Sequence, residues 1–196
     1  MPRPVRFTPE TILDRALPIF WDQGFLGTSI DDLTRSVGAS RQAIYSAFPD
    51  KRALLLACID SYKCLIVDPA FSIVEQPRAG LREIANYFEV QISASETAGL
   101  PSAGCLLGNL TTELAPHDPQ VERAVRSHLT RLRTGFLRAL QTACGQQTAT
   151  DLEAWAELLT VTAQGLWSTA RVTRDASELR RPVRALLELI EGAMTK

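Results

Sequence analysis

Apolar residues recur at helical spacing from the first turns of the chain onward. Thr8, Pro9 and Glu10 read as the N-cap, N1 and N2 of a helix. Ile12, Leu13, Ala16, Leu17, Ile19 and Phe20 follow on one face until Gly24, and Pro18 predicts a kink. Thr28, with Asp31 three residues on, predicts a capping box for a short second helix that carries Ile30, Leu33 and Val37 before Gly38 ends it. Ser40 predicts the cap of a third helix from Arg41 to about Ala47. That helix must stop before Pro49, because the residue preceding proline is pushed out of the α region. Asp50 predicts the cap of a fourth.

Beyond Asp50 the periodic segments lengthen. The spacing predicts helices over 51–75, 79–95, 104–115, 118–144, 149–173 and 178–194, broken at Pro77, Gly99-Leu100-Pro101, Pro116, Pro119, Gly145 and near Asp175. No strand-like alternation, internal repeat or low-complexity tract interrupts them. Three short helices followed by six longer ones predict an all-α fold, with a small head over residues 1–52 continuous with a larger helical body over 53–196.

Composition agrees. Leu and Ala number 50 against 20 Val and Ile, a bias toward side chains that lose little rotamer freedom in a helix. A chain of 196 residues hides roughly 70% of its unfolded surface on folding, so a real core is available. No apolar run approaches the roughly 20 residues needed to cross a bilayer. Arg3, Arg6, Glu10, Asp14 and Arg15 argue against a secretory signal, and a cytoplasmic location is expected. Cys58, Cys64, Cys105 and Cys144 form no C-x-x-C pair and only His117 and His128 could join them, so neither a disulfide framework nor a zinc site is expected, and no cofactor. Net charge is −1, divided as +1 through Arg52 and −2 beyond it, which by itself says little about partners.

The stretch from Thr28 to Lys51 is the most informative. Two short helices around Val37-Gly38-Ala39-Ser40 match a helix-turn-helix, with Gly38 free to take positive φ in the tight turn. In that motif the second helix enters the major groove of double-stranded DNA with its N-terminal residues at base edges. Here those residues are Arg41, Gln42, Ile44 and Tyr45. Arg can bond guanine bidentately and Gln adenine, while a Tyr hydroxyl or a helix start can hold phosphate.

Ile12, Ala16, Phe20, Gly24-Phe25, Thr28-Ser29-Ile30, Leu33, Val37-Gly38-Ala39-Ser40, Ile44-Tyr45, Phe48, Lys51 and Leu54-Leu55 stand in an order and spacing that resembles the N-terminal domain of the TetR family of bacterial transcriptional regulators. The resemblance covers about residues 8–58 and implies that a helical ligand-binding and dimerisation body follows. By position it implies phosphate contacts at Thr28, Tyr45 and Lys51 and base-reading roles for Arg41 and Gln42, with Ser40 capping the reading helix. One departure is Ser46-Ala47-Phe48, where the family commonly has an aromatic or His pair before the Phe; a contact expected at Ala47 is missing. Arg3 and Arg6, flanked by Pro2 and Pro4, form an arm able to enter the minor groove.

Pockets in helical bundles are lined by apolar and aromatic groups with a few polar ones. Tyr62, Phe71, Tyr87, Phe88, Asn109, Phe136, Trp155 and Trp167 are the candidates here, some of them core. The run Gly104-Cys105-Leu106-Leu107-Gly108-Asn109-Leu110 resembles a motif in a subset of the same family. A thiol in the first turn of a helix is drawn toward the thiolate, so Cys105 is a candidate sensor of an oxidant or electrophile; the alternative is a small, inert, buried cysteine. Trp155, Leu158, Leu159, Thr162, Ala163, Leu166, Trp167 and Ala170 form one apolar stripe, and Leu179, Val183, Leu186, Leu187, Ile190 and Met194 another. Any surplus beyond the monomer's needs predicts a homodimer, which a near-palindromic site also requires.

The expectation is therefore a dimeric DNA-binding repressor, not an enzyme, released by a small molecule or by thiol modification. Two other classes compete: a small thiol-dependent helical enzyme and a DNA-independent small-molecule binding protein. The first is opposed by its imidazoles, since His117 is expected on a Pro-bounded loop and His128 on a polar helix face, with no triad pattern.

Overall fold

The computed structural model describes residues 7–144 and 151–194, and all regular structure among them is helical. The proposed Arg3 and Arg6 arm and the break at Gly145 lie outside the described residues. Helix α1 spans Pro9–Gln23; the Thr8 hydroxyl caps it by accepting from the Thr11 amide. It runs on through Pro18. Helix α2 is Ile30–Val37 and α3 is Arg41–Ala47, with Gly38 between them at φ 73° in the left-handed region. Ser40 caps α3 through the Ala43 amide, and Phe48 turns extended ahead of Pro49. Asp50 caps α4, Lys51–Tyr62, through Ala53.

The capping box of α2 sits one residue later than the sequence predicts. Ser29 accepts from the Asp32 amide and Asp32 accepts from the Ser29 amide. The Thr28 hydroxyl is unavailable because it donates to the Gly24 carbonyl at 2.6 Å. Ile12, Ala16, Phe20, Leu33, Val37 and Ile44 form the buried centre of the head, and Leu54 and Leu55 of α4 continue it.

The long helix expected over 51–75 is not uniform. After α4 the backbone widens into a π turn, Lys63–Val67, in which the Asp68 amide donates to the Lys63 carbonyl, before α5, Asp68–Phe71. Pro69 supplies the reason: it has no N–H to offer and its ring crowds the carbonyl four residues back. The body continues with α6, Leu81–Ala98; α7, Leu106–Glu113; a 3-10 turn, Ala115–His117; α8, Pro119–Cys144; α9, Leu152–Thr169; and α10, Ala176–Met194. Helix α8 packs along α9, and α6 along α10. Phe71, Tyr87, Phe88 and Phe136 meet edge-on or stacked with centroids 5.1 to 6.0 Å apart and form the aromatic centre of the body. No helix among the described residues is long and apolar enough to cross a membrane.

The face of α8 that packs inward carries Val121, Val125, His128, Leu132, Gly135 and Phe136. His128 is therefore buried, which corrects its placement on a polar face; the spacing from Val125 to Leu132 was the available signal. Burial, then the positive charges of Arg131 and Lys63, push its imidazole down from 6.5 to about 4. The unfolded chain binds this proton and the native one does not, so stability falls as pH drops from about 6.5 toward 4. His128→Leu should flatten that part of an acid unfolding series. Gly135 lies against the Phe71 ring, where a Cβ would stand 2.5 Å from a ring carbon; Gly135→Ala should lower stability by about 1–3 kcal/mol in denaturant titration.

Candidate nucleic-acid interface and ligand cavity

Ile44 is buried and anchors α3 to the head, while Arg41, Gln42 and Tyr45 stay exposed to solvent. Ser40 spends its hydroxyl on the cap. The Arg41 guanidinium is parked 2.9 Å from Asp31 of α2, with both side chains more than half exposed. A pair so exposed contributes little, so the guanidinium is available to a base edge. Ser46 turns its hydroxyl back to the Gln42 carbonyl at 2.8 Å, and Ala47 packs against the core.

Two residues expected on phosphate have internal roles. Thr28 is completely buried, with its hydroxyl on Gly24. The Lys51 ammonium donates to the carbonyls of Phe25 and Thr28, each at 2.8 Å, and stands 4.1 Å from the centre of the Phe25 ring. Partial burial pushes its pKa down. Lys51 thus ties the start of α4 to the turn between α1 and α2.

The same turn is gripped from the body. The Glu113 carboxylate, at the end of α7, accepts from the amides of Phe25 at 3.1 Å and Leu26 at 2.7 Å. Gly24, at φ 76°, makes room, since a Cβ there would come within 2.8 Å of that carboxylate. Trp21 donates its indole N–H to the Gly104 carbonyl at 2.9 Å. Asn109 donates to the carbonyls of Trp21 and Ala103, and Arg171 to those of Ala103 and Asp22. Arg52 binds Asp118 through two guanidinium nitrogens, which holds that carboxyl down at about 2. Glu113, Trp21, Arg171 and Asp118 carry no local sequence signature; their partners lie 66 to 149 residues away.

Behind this joint lies a cavity of about 750 Å³ between the end of α1, α4 with its π turn and α5, α6, the segment 99–105, and single residues of α8 and α9. Of the candidate residues, Tyr62, Cys105 and Trp167 line it, as do Phe71 and Tyr87. Phe88 and Phe136 are core, stacked on each other. Asn109 works at the joint, and Trp155 packs against the core away from the cavity. Trp21 and His128 are wall residues that sequence reasoning missed.

Cys105 is the N-cap of α7 rather than a first-turn residue; its sulfur accepts from the Gly108 amide at 3.4 Å. Burial pushes its thiol up, against the opposing pull of the Gly108 amide and the Tyr62 hydroxyl. Desolvation therefore outweighs the helix end, and the expected drift toward thiolate is reversed. Among the described residues no cluster of His, Cys, Asp and Glu could hold a metal ion.

Residues 12–58 match the family model for bacterial regulatory proteins of the tetR family, and residues 80–186 match that of the tetracyclin repressor-like C-terminal domain. The HTH-type transcriptional regulator YezE of Bacillus subtilis is 28% identical over 97% of this chain and 100% of its own length. The HTH-type transcriptional repressor ComR of Escherichia coli is 28% identical over 95% and 90%. Among solved structures, a TetR family regulator from Agrobacterium tumefaciens superposes with a TM-score of 0.80 at 22% identity, over 92% of this chain and 95% of that one. A cysteine mutant of the TetR family regulator CifR, complexed with 26-bp operator DNA, superposes at 0.74 with 21% identity and 98% of both chains. With both halves matched and the helix-turn-helix in place, the chain belongs to the TetR family of bacterial regulatory proteins.

Proposed function

We propose that this chain is a homodimeric transcriptional repressor that reads a near-palindromic operator with α3 and lets go when a small molecule fills the cavity of the body. The observation that carries the reading is the position of Trp21: it belongs to the first helix of the head and also forms a wall of the cavity. Arg41 and Gln42 read base edges, and Tyr45 reaches phosphate. The head over residues 1–52 and the body over 53–196 share α4, whose first turn contains that boundary.

Dimerisation is supported by what the monomer leaves uncovered. Leu159, Ala163, Leu166, Trp167 and Ala170 of the first predicted stripe, and Leu179, Val183, Leu186, Ile190 and Met194 of the second, are consumed inside the monomer. The surplus lies beside them. Leu158, Val161 and Gly165 are exposed on one face of α9, and Val172 follows it; Pro182, Ala185, Leu189 and Gly192 are exposed at three- and four-residue spacing on α10. Small residues among large ones let two helices from each subunit approach closely in a four-helix contact. A twin head at fixed separation is what a two-half-site operator needs.

An effector shifts this balance only by binding one arrangement of the body more tightly than the other. Its lever is the joint of Trp21 with Gly104 and of Asp22 with Arg171, which passes any displacement of the cavity wall to α1. The protein works by binding, without turnover, in the cytoplasm, where its DNA lies. The buried, protonated thiol of Cys105 favours reversible occupancy over covalent modification as the signal.

Band-shift and anisotropy titrations against a duplex selected from a random pool by the protein itself test this reading; absence of any preferred duplex would remove it. Arg41→Ala should weaken the selected duplex by about 1–3 kcal/mol and leave random DNA nearly unchanged. Lys51→Met should weaken both duplexes in parallel, lower the stability of the protein by about 1–3 kcal/mol and preserve the slope of affinity with salt, because its ammonium serves backbone carbonyls. Iodoacetamide should modify exposed Cys64 in the native protein and reach Cys105 only on unfolding, as read by peptide mass mapping. Rapid alkylation of native Cys105 would restore the thiol switch.

A further inference from the structure

The wall of the cavity is unusual for a chain in which 22% of residues are charged: not one lining residue is Asp, Glu, Lys or Arg. Its side-chain polar groups are hydroxyls, an amide, a thiol, two indole N–H groups and one imidazole. Most are already engaged. The Tyr62 hydroxyl lies beside the Cys105 thiol and the Tyr87 hydroxyl beside Trp167, and the Ser102 hydroxyl accepts from the Gly104 amide.

His128 differs. It is more than nine-tenths buried as a residue and lines the cavity, and no hydrogen bond to a described residue holds its ring nitrogens; the fully buried side-chain polar atom left without a partner among the described residues is a different one, Gln164 Nε2 on α9. An imidazole on a cavity wall that no protein group engages keeps its donor and its acceptor for a ligand. Gln91, half-buried on the facing helix α6, likewise has no side-chain partner among the described residues. The remaining wall is aromatic and aliphatic. Trp21 meets Tyr62 edge-on at 4.9 Å and Phe71 meets Tyr87 at 5.3 Å, while exposed Leu65 and Val90 stand at the rim.

We propose that the cavity takes an uncharged, mainly aromatic molecule whose single hydrogen-bonding group sits on the His128 imidazole. This rests on the reading of the cavity as the effector site. A buried ion would lose its hydration without a counter-charge in the wall. The cations nearest His128, Arg131 and Lys63, stand outside the wall and are already paired, Arg131 with Asp68 and Glu75 and Lys63 with Asp60. They offer a carboxylate no direct contact, and with burial they keep the imidazole neutral rather than letting it take a carboxylic acid's proton. An ammonium finds no carboxylate. A neutral imidazole offers one donor and one acceptor, suited to a phenol, ketone or amide, and the aromatic walls favour a flat ring system by edge and offset contacts.

Three probes of one shape test the proposal on the full-length protein: 2-naphthol, 2-naphthoate and naphthalene at neutral pH, followed by quenching of the tryptophans, with Trp21→Phe and Trp167→Phe assigning the signal to the cavity. Naphthol is expected to bind at least about tenfold more tightly than naphthoate. His128→Leu should weaken naphthol about three- to tenfold, the ratio expected for one net hydrogen bond, and leave naphthalene essentially unchanged. Naphthoate binding as tightly as naphthol, no quenching by naphthol, or a His128→Leu loss equal for naphthol and naphthalene would each overturn it. Should His128→Leu not fold, the naphthol and naphthoate comparison on the unmodified protein still decides. Release of the selected duplex separates this from the effector role. Naphthol bound with the expected preference while the duplex stays on supports the ligand class and removes the effector role. Release by naphthoate and not by naphthol keeps that role and overturns the ligand class.

Discussion

The C-terminal end of α1 leaves backbone groups that its own helix cannot pair, and the rest of the molecule pairs them. The Trp21 carbonyl goes to Asn109 and the Asp22 carbonyl to Arg171. The Phe25 and Leu26 amides go to Glu113, and the Phe25 and Thr28 carbonyls to Lys51. Helix ends must find such partners or face water, and an ionised partner makes the stronger bond. Three of the four partner residues belong to α7 and to the segment after α9. The head is therefore not an independent bead on a linker; the end of its first helix is capped by the helical body.

This constraint gives the cavity its mechanical meaning. The indole of Trp21 is fixed at its nitrogen by Gly104, in the segment that closes one side of the cavity. Gly104 itself is pressed close to α9, where a Cβ would come within 2.5 Å of the Trp167 carbonyl, so the segment has little room to give on that side. Whatever occupies the cavity meets a wall made of both units at once. Helix α3 is held by Ile44 alone among its buried side chains, which leaves Arg41, Gln42 and Tyr45 exposed.

The reading helix and the cavity follow opposite electrostatic rules. On α3 the one charge, Arg41, is exposed and loosely paired with Asp31, so giving up that pair costs little. In the cavity, charge is absent and even the titratable groups are held neutral by burial. Cys105 illustrates which effect wins: a helix start pulls toward thiolate, but complete burial outweighs it.

Much of the fold was legible along the chain because its signals are local. Thr8, Ser40 and Asp50 cap the helices they precede, Gly38 turns where a positive φ is needed, and apolar spacing marks the inner face of nearly every helix. The misreadings arise where a distant or competing partner intervenes. Thr28 lost its cap to Ser29 because the Gly24 carbonyl claimed its hydroxyl, Lys51 turned inward to two carbonyls, and His128 was hidden by the polar residues around it on α8. Sequence alone determined the helices, the helix-turn-helix and the exposed face of α3, since these depend on spacing and on caps within a few residues. Only the tertiary structure decided the joint at the end of α1 and the uncharged cavity behind it, because both are assembled from side chains that meet solely after the helices have packed.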